Sequence, residues 1–158
     1  MRDQTGRGTI NMNTNASLPK KVEILCKTGL DSIRVSLNSV RKEFYQRYYQ
    51  PHGYLFEDVQ KSISVAKNYK KFVSLNYLVM PGFTDEEEEC EELIGFVRKN
   101  AIDMIQWRNL NFDPHRYFLK MVIGAPKRLL GISTVMARLC SKFPRLKHGY
   151  FNLPKEDF

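Results

Sequence analysis

Amide, hydroxyl and guanidinium side chains recur at every second position in four short stretches of the chain: Asn11, Asn13 and Asn15; Arg34, Ser36 and Asn38; Ser74 and Asn76; Gln106 and Arg108. Thr14 stands beside Asn15 at the end of the first stretch. These types in this pattern hold a ligand by many directed hydrogen bonds; they do not form a nucleophile with an adjacent base. Buried amides need partners, so a face built from them implies a wet or ligand-filled cavity.

Other reactive residue types are scattered. Cys26, Cys90 and Cys140 have neither metal-ligand nor redox spacing and read as buried or semi-buried free thiols. His52, His115 and His148 are far apart, each near a turn residue, and read as surface or loop histidines. Asp113 and His115 straddle Pro114 as a possible acid–base pair, although a helix N-cap is the simpler role for Asp113. The acidic run Asp85 to Glu89 suits the positive end of a helix dipole and is not read as a metal site. No P-loop, Gly-x-Gly-x-x-Gly or Gly-x-Ser-x-Gly pattern is present.

The elements that must position the polar stretches follow from period and punctuation. Thr9–Thr14, Ile33–Leu37, Phe72–Val79 and Met104–Leu110 read as strands, each followed by a helical pattern. Ser17 and Pro19 open the first helix and Gly29 ends it. The second crossover is broken by Pro51-His52-Gly53. Thr84 with Glu87 three residues on predicts a capping box for the third. Asp113-Pro114 then interrupts the repeat, and a basic helix is expected over about 127–142. Strand–helix–strand units of this length build a parallel sheet. The expected fold is α/β: a partial TIM-type (βα) barrel of about four parallel strands, crossover helices on one face, and a basic C-terminal helix and tail. Along each strand Ile33, Val35 and Leu37, or Val73, Leu75 and Tyr77, take the other parity and face the helices.

Residues 1–113 carry 16 basic and 15 acidic groups, residues 114–158 carry 9 and 2, and the chain totals +8. Such a basic end can attract nucleic acid, anionic lipid or an acidic partner. No run is long and apolar enough to span a membrane, and no signal-peptide pattern opens the chain, so a cytoplasmic location is expected.

Taken in order, "NTNASLP", "TGLDSIRVSLNS", "SLNYLVMPGFTDEEEE" and "IDMIQWRNLNFDP" resemble the radical S-adenosylmethionine (radical SAM) superfamily over roughly residues 9–118. The resemblance implies a (βα)6-type barrel, S-adenosylmethionine (SAM) and a [4Fe–4S] cluster at the strand C-termini. It also implies reductive SAM cleavage followed by hydrogen-atom abstraction from a substrate. It assigns Thr14, Asn15, Ser36, Asn38 and Asn76 to SAM, and Gln106 and Arg108 to the substrate side. The chain departs from the family in three ways. It has no Cys-x3-Cys-x2-Cys loop and no Gly-Gly-Glu segment, Ala16 and Asn38 replace a usual glycine and aspartate, and Gln50 stands where many members have arginine, with Arg47 nearest.

The implied organisation is a leader at 1–8, a partial barrel at 9–118, and a basic helix and tail at 119–158. In this reading the barrel is N-terminally truncated, lacks cluster ligands and is inactive alone. It would have an exposed strand edge for a missing N-terminal half or a dimer partner. The alternative is a non-catalytic module whose basic end contacts RNA or another polyanion; Tyr117, Phe118, Phe143, Tyr150 and Phe151 could stack bases there, although packing against the barrel is their simpler role.

Overall fold

Each polar stretch lies on a parallel strand, and alternation along the strands divides the sheet into two chemically different faces. The computed structural model describes residues 7–124, 128–149 and 152–158. Its order is β1 (Asn11–Thr14), α1 (Pro19–Lys27), β2 (Ser32–Leu37), α2 (Lys42–Tyr49), α3 (Phe56–Asn68), β3 (Phe72–Val79), α4 (Glu87–Asn100), β4 (Met104–Asn109), α5 (Pro114–Met121), α6 (Ile132–Lys142) and β5 (Lys147–His148). The sheet runs β1-β2-β3-β4-β5, every neighbouring pair parallel. Strands that pair in sequence order through helices give the singly wound arrangement of an opened barrel.

The expected strands and helical crossovers are present. Ile33, Val35, Leu37, Val73, Leu75, Tyr77 and Ile105 are buried on the helix side, against Val59, Ile63, Leu93, Val97, Val135 and Leu139. These branched and aromatic side chains are the main apolar stabilisation of the sheet, at roughly 25 cal/mol per Å² removed from water. The other face is polar in its middle and upper rows, with Phe72, Met104 and Leu78 as apolar exceptions.

Four local expectations are corrected. A fifth strand, β5, adds beside β4, held by Lys147 N–H to Asp103 O (2.9 Å) and Gly149 N–H to Ile105 O (3.3 Å). Two residues of Lys-His type carry no strand period, so this strand is set by tertiary pairing. Ser17 does not cap α1: Leu18 occupies that position without a side-chain bond, and the Ser17 N–H donates to Asn15 Oδ1 at 3.2 Å. Thr84 does not cap α4, whose N-cap is Glu86. The Thr84 hydroxyl instead accepts from Met80 N–H (2.9 Å) and donates to Leu78 O (3.2 Å), closing the turn after β3. The basic helix begins at Ile132, after Gly131 at φ +80°, not near 127. Residues 1–6 of the expected leader, and Tyr150 and Phe151, lie outside the described residues.

α5 follows the Asp113 cap as expected: its carboxylate accepts from His115 N–H (2.8 Å) and Arg116 N–H (3.2 Å). The helix lies over the C-terminal ends of β3 and β4. Tyr117 and Met121 pack there with Met80 and Phe83, and Phe118, Phe44 and Leu78 flank them. Gly82, at φ +89°, permits this seat, because a β-carbon there would stand 3.1 Å from the Phe118 ring.

Candidate functional site at the strand C-termini

The strand register decides which polar residues share a row. Ser36, Asn76 and Gln106 are direct cross-strand partners, and Asn76 Nδ2 lies 3.5 Å from Ser36 Oγ. Gln106 is almost fully buried, whereas Ser36 and Asn76 are half-buried. One step toward the mouth, Arg108 pairs with Leu78 and is exposed. One step toward the floor, Asn13, Arg34 and Ser74 align.

Thr14 differs from the rest. It pairs with Val35 on the apolar row, and its Oγ1 accepts the Ala16 N–H at 2.9 Å. Asn15 Oδ1 holds Ser17 N–H. Together they fix a turn in which Ala16, 1% exposed, adopts φ +56°, a left-handed conformation that glycine adopts more easily. Ser62 Oγ donates to the Ala16 carbonyl at 2.6 Å, anchoring the turn from α3.

Asn38 is fully buried. Its amide donates to Phe44 O (3.2 Å) and reaches Tyr117 Oη at 3.5 Å, which ties the end of β2 to α2 and α5. Its Oδ1 and the Nε of Arg34 are the buried side-chain polar atoms without a partner among the described residues. Both residues belong to the polar strand parity. Burial lowers the Arg34 pKa below its ordinary value, and Arg108 acts in the same direction. The Arg34 Nη2 donates to Asn152 Oδ1 in the C-terminal segment.

Behind the mouth, Glu89 anchors the loop that leaves β2. It is 0% exposed and accepts from Ser39 Oγ (2.9 Å), Arg41 Nε (2.7 Å) and the Tyr77 hydroxyl. Arg41 also meets Glu86 at 2.8 Å and Glu88 at 3.3 Å. Burial pushes the Glu89 carboxyl up, against the pull of Tyr77, Arg41 and Ser39. Beyond its place at the positive end of the α4 dipole, the acidic run clamps Arg41 through Glu86, Glu88 and Glu89. Nothing in the sequence spacing marks that long-range contact. Tyr117, a candidate for stacking or for packing against the barrel, is buried and takes the packing role.

The remaining candidates lie elsewhere. Cys26, Cys90 and Cys140 sit on α1, α4 and α6; Cys140 is exposed, not semi-buried. His148 is not a loop residue: it is half-buried in β5, its ring nearly coplanar with Trp107 (2°, centroids 6.1 Å apart), and it accepts from Trp107 Nε1 at 3.0 Å. Burial lowers its pKa. Arg47 donates to Met121 O at 2.8 Å, joining α2 to the end of α5, and Gln50 caps α2 at φ +45°. Part of the basic end is matched internally, since Arg128 meets Glu87 (3.0 Å) and Arg138 meets Glu91 (3.2 Å).

Two cavities differ in character. One of about 990 Å³ opens at the N-terminal ends of β3 and β4, among Lys67, Phe72, Asp103, Phe143 and Phe158. One of about 340 Å³ lies at the opposite end, between α2 and α5. The smaller cavity is at the strand C-terminal end of the sheet, where ligands of parallel α/β sheets bind, but none of the Ser36–Asn76–Gln106 row lines it.

An opened parallel (βα) barrel with one apolar, helix-covered face and one polar face is an α/β fold of the TIM-barrel type. The family model for the Radical SAM superfamily matches residues 2–94. The chain belongs to the radical SAM superfamily. Over 93 residues it is 39% identical to a probable GTP 3′,8-cyclase of Thermococcus kodakarensis, a match covering 58% of this chain and 29% of that protein. In fold it is similar to SuiB of Streptococcus suis, solved bound to S-adenosylmethionine, with TM-score 0.59, 18% identity, and coverage of 90% and 32%. It is also similar to a radical SAM methyltransferase of Sphaerobacter thermophilus, with TM-score 0.54, 18% identity, and coverage of 89% and 40%. The chain thus spans about a third of the length of SuiB and less than a third of the cyclase. No helix among the described residues is long and apolar enough to cross a membrane.

Proposed function

We propose that this chain supplies the SAM-holding and substrate-facing part of a radical SAM active site. The observation that carries the reading is the Ser36–Asn76–Gln106 row of hydrogen-bonding side chains on the polar face of the sheet. Such a row, continuing toward the strand C-termini, fits a ligand rich in hydroxyl, amine and carboxylate groups, as SAM is. Ser36 and Asn76 would take the ribose and amino-acid end directly. Asn15 uses its acceptor oxygen to hold the Ala16 turn, which leaves its amide to donate to the ligand, whereas Thr14, on the helix-side parity, would act by fixing that turn. Asn38 lies beneath Tyr117 and acts on that end by fixing the loop after β2. Gln106 and Arg108 would face the substrate.

The [4Fe–4S] cluster does not fit this chain's own residues. Its three cysteines lie on three separate helices, and among the described residues no three His, Cys, Asp or Glu side chains converge. We therefore assign no SAM cleavage to these 158 residues alone. Cluster ligands would come from polypeptide pairing along the outer edge of β1, which among the described residues pairs with β2 only. The cyclase's own reaction is not carried over.

Isothermal titration with SAM tests the reading. Saturable binding is expected, weakened about three- to tenfold by Ser36→Ala and again by Asn76→Ala. Wild-type affinity in both variants would overturn it, as would no binding at all. Anaerobic reconstitution with iron and sulfide should yield neither a stoichiometric cluster nor 5′-deoxyadenosine.

A further inference from the structure

The cleft between α2 and α5 has walls of a consistent kind. Tyr48, Phe112 and Tyr117 supply aromatic surface, Arg47 and Lys120 supply positive charge, and Gln50 and Asn111 complete the rim. Tyr48 and Phe112 remain 41% and 44% exposed, while Tyr117 forms a buried wall. Among the described residues no carboxylate lines the cleft. Asp113, next to Phe112, has its carboxylate engaged as the α5 cap. Lys120 Nζ stands 5.8 Å from the Phe112 ring centre, so cation and ring already face one space. Arg47 holds the α5 terminus through Nη1, bonded to Met121 O.

We propose that this cleft is a second ligand site, separate from the SAM row, for a planar ring carrying a negatively charged arm. The ring would lie against Tyr48 and Phe112, and the arm would meet Lys120. A volume of about 340 Å³ suits one ring system with a short arm. Flat aromatic walls favour stacking, and cations unmatched by an acid in the lining favour an anion. The location adds an independent argument. Tyr117 closes the cleft from below and its hydroxyl is 3.5 Å from Asn38, so a bound ligand would lie beside the strand C-termini. Two sources share this chemistry, a nucleoside polyphosphate and an aromatic keto acid.

Titration of the purified full chain with ATP, GTP, adenosine, tripolyphosphate and phenylpyruvate tests the site. At least one charged aromatic probe should bind saturably, about tenfold more tightly than adenosine and than tripolyphosphate. Nucleotide preference identifies the first source and phenylpyruvate preference the second. Phe112→Ala and Lys120→Glu, both exposed and checked for fold by circular dichroism, should each weaken binding about tenfold. The SAM-row variants Ser36→Ala and Asn76→Ala should leave it unchanged, and saturating SAM should not displace the probe. Failure of SAM to bind thus leaves this site standing. Equal binding of tripolyphosphate, displacement by SAM, or insensitivity to both cleft variants would overturn it.

Discussion

Glu89→Ala should be a large destabilisation, and its size follows from what the carboxylate holds. Removing one partner of a buried charge pair costs about 3–5 kcal/mol when the other charge is left alone. Arg41 is not left alone, because Glu86 and Glu88 stay within 2.8 and 3.3 Å of its guanidinium. The loss therefore comes mainly from donors without an acceptor. The Ser39 hydroxyl, the Tyr77 hydroxyl and Arg41 Nε each lose about 1 kcal/mol or more. A small cavity beside Tyr77 adds to this, giving about 3–4 kcal/mol in all.

Urea unfolding measures it: with an m-value of about 2 kcal/mol/M, the midpoint should fall by roughly 1.5–2 M. Against a total stability of about 5–15 kcal/mol, such a loss is easily resolved. Glu89→Gln, which keeps one side-chain acceptor oxygen for these donors, should be less destabilised than Glu89→Ala. A Glu89→Ala loss below about 1 kcal/mol, or a Glu89→Gln variant worse than Glu89→Ala, would refute the account.

Three further outcomes are expected. Trp107, the single tryptophan, donates to an unprotonated His148 nitrogen, and burial depresses the His148 pKa, so this stabilisation is complete above about pH 6.5 and is lost as pH falls through the lower folded value. Trp107 emission should titrate with a midpoint below 6.5 and stay flat in His148→Gln; a midpoint at or above the ordinary histidine value would contradict the burial argument. Ala16→Gly should shift stability by less than about 1 kcal/mol, because relief of the φ +56° conformation is offset by a lost buried methyl and added chain entropy. A thermal unfolding change worth more than about 2 kcal/mol would show that one of these effects dominates. Asn38→Asp removes the donation to Phe44 O and buries a charge, so it should cost about 2–3 kcal/mol at pH 7 and less at pH 4. Equal loss at both pH values would mean that the site is wetter than its full burial implies.

The sheet and its two faces were legible because the period of two in Ile33–Leu37 and Phe72–Val79 is a local signal that burial amplifies. The Asp113 cap was legible for the same reason, since cap, proline and helix are contiguous. What escaped depends on contacts across long sequence distances. β5 is two residues that pair only because α6 delivers them to β4. Glu89 resembles its acidic neighbours in sequence, and only the packing of α4 on the loop after β2 turns it inward. Thr84 carried a valid capping signature, but the turn after β3 recruited its hydroxyl first. The polar rows were visible as residue types, and the same period put Thr14 on the parity of Met12; that Asn38 lies under α5 was not visible.

Those two placements change how the polar face works. Its floor is covered by the chain's own C-terminal segment: Asn152 meets Arg34, the Lys155 N–H donates to Thr9 Oγ1 at 2.9 Å, and Phe158 stacks on Phe72 at 4.5 Å. Its far end is roofed by α5 through Tyr117 and Phe118. The Ser36–Asn76–Gln106 row lies between these two covers. A ligand entering there meets a row whose donors and acceptors are positioned before it arrives, which limits the ordering cost of binding. Asn38 then acts on the site through Phe44 and Tyr117, and movement of α5 would be required for it to touch a ligand. Because the same helix walls the aromatic, positively charged cleft, a ligand seated there would hold Tyr117 in place. Occupancy of the cleft should therefore stabilise the loop after β2, which carries Asn38.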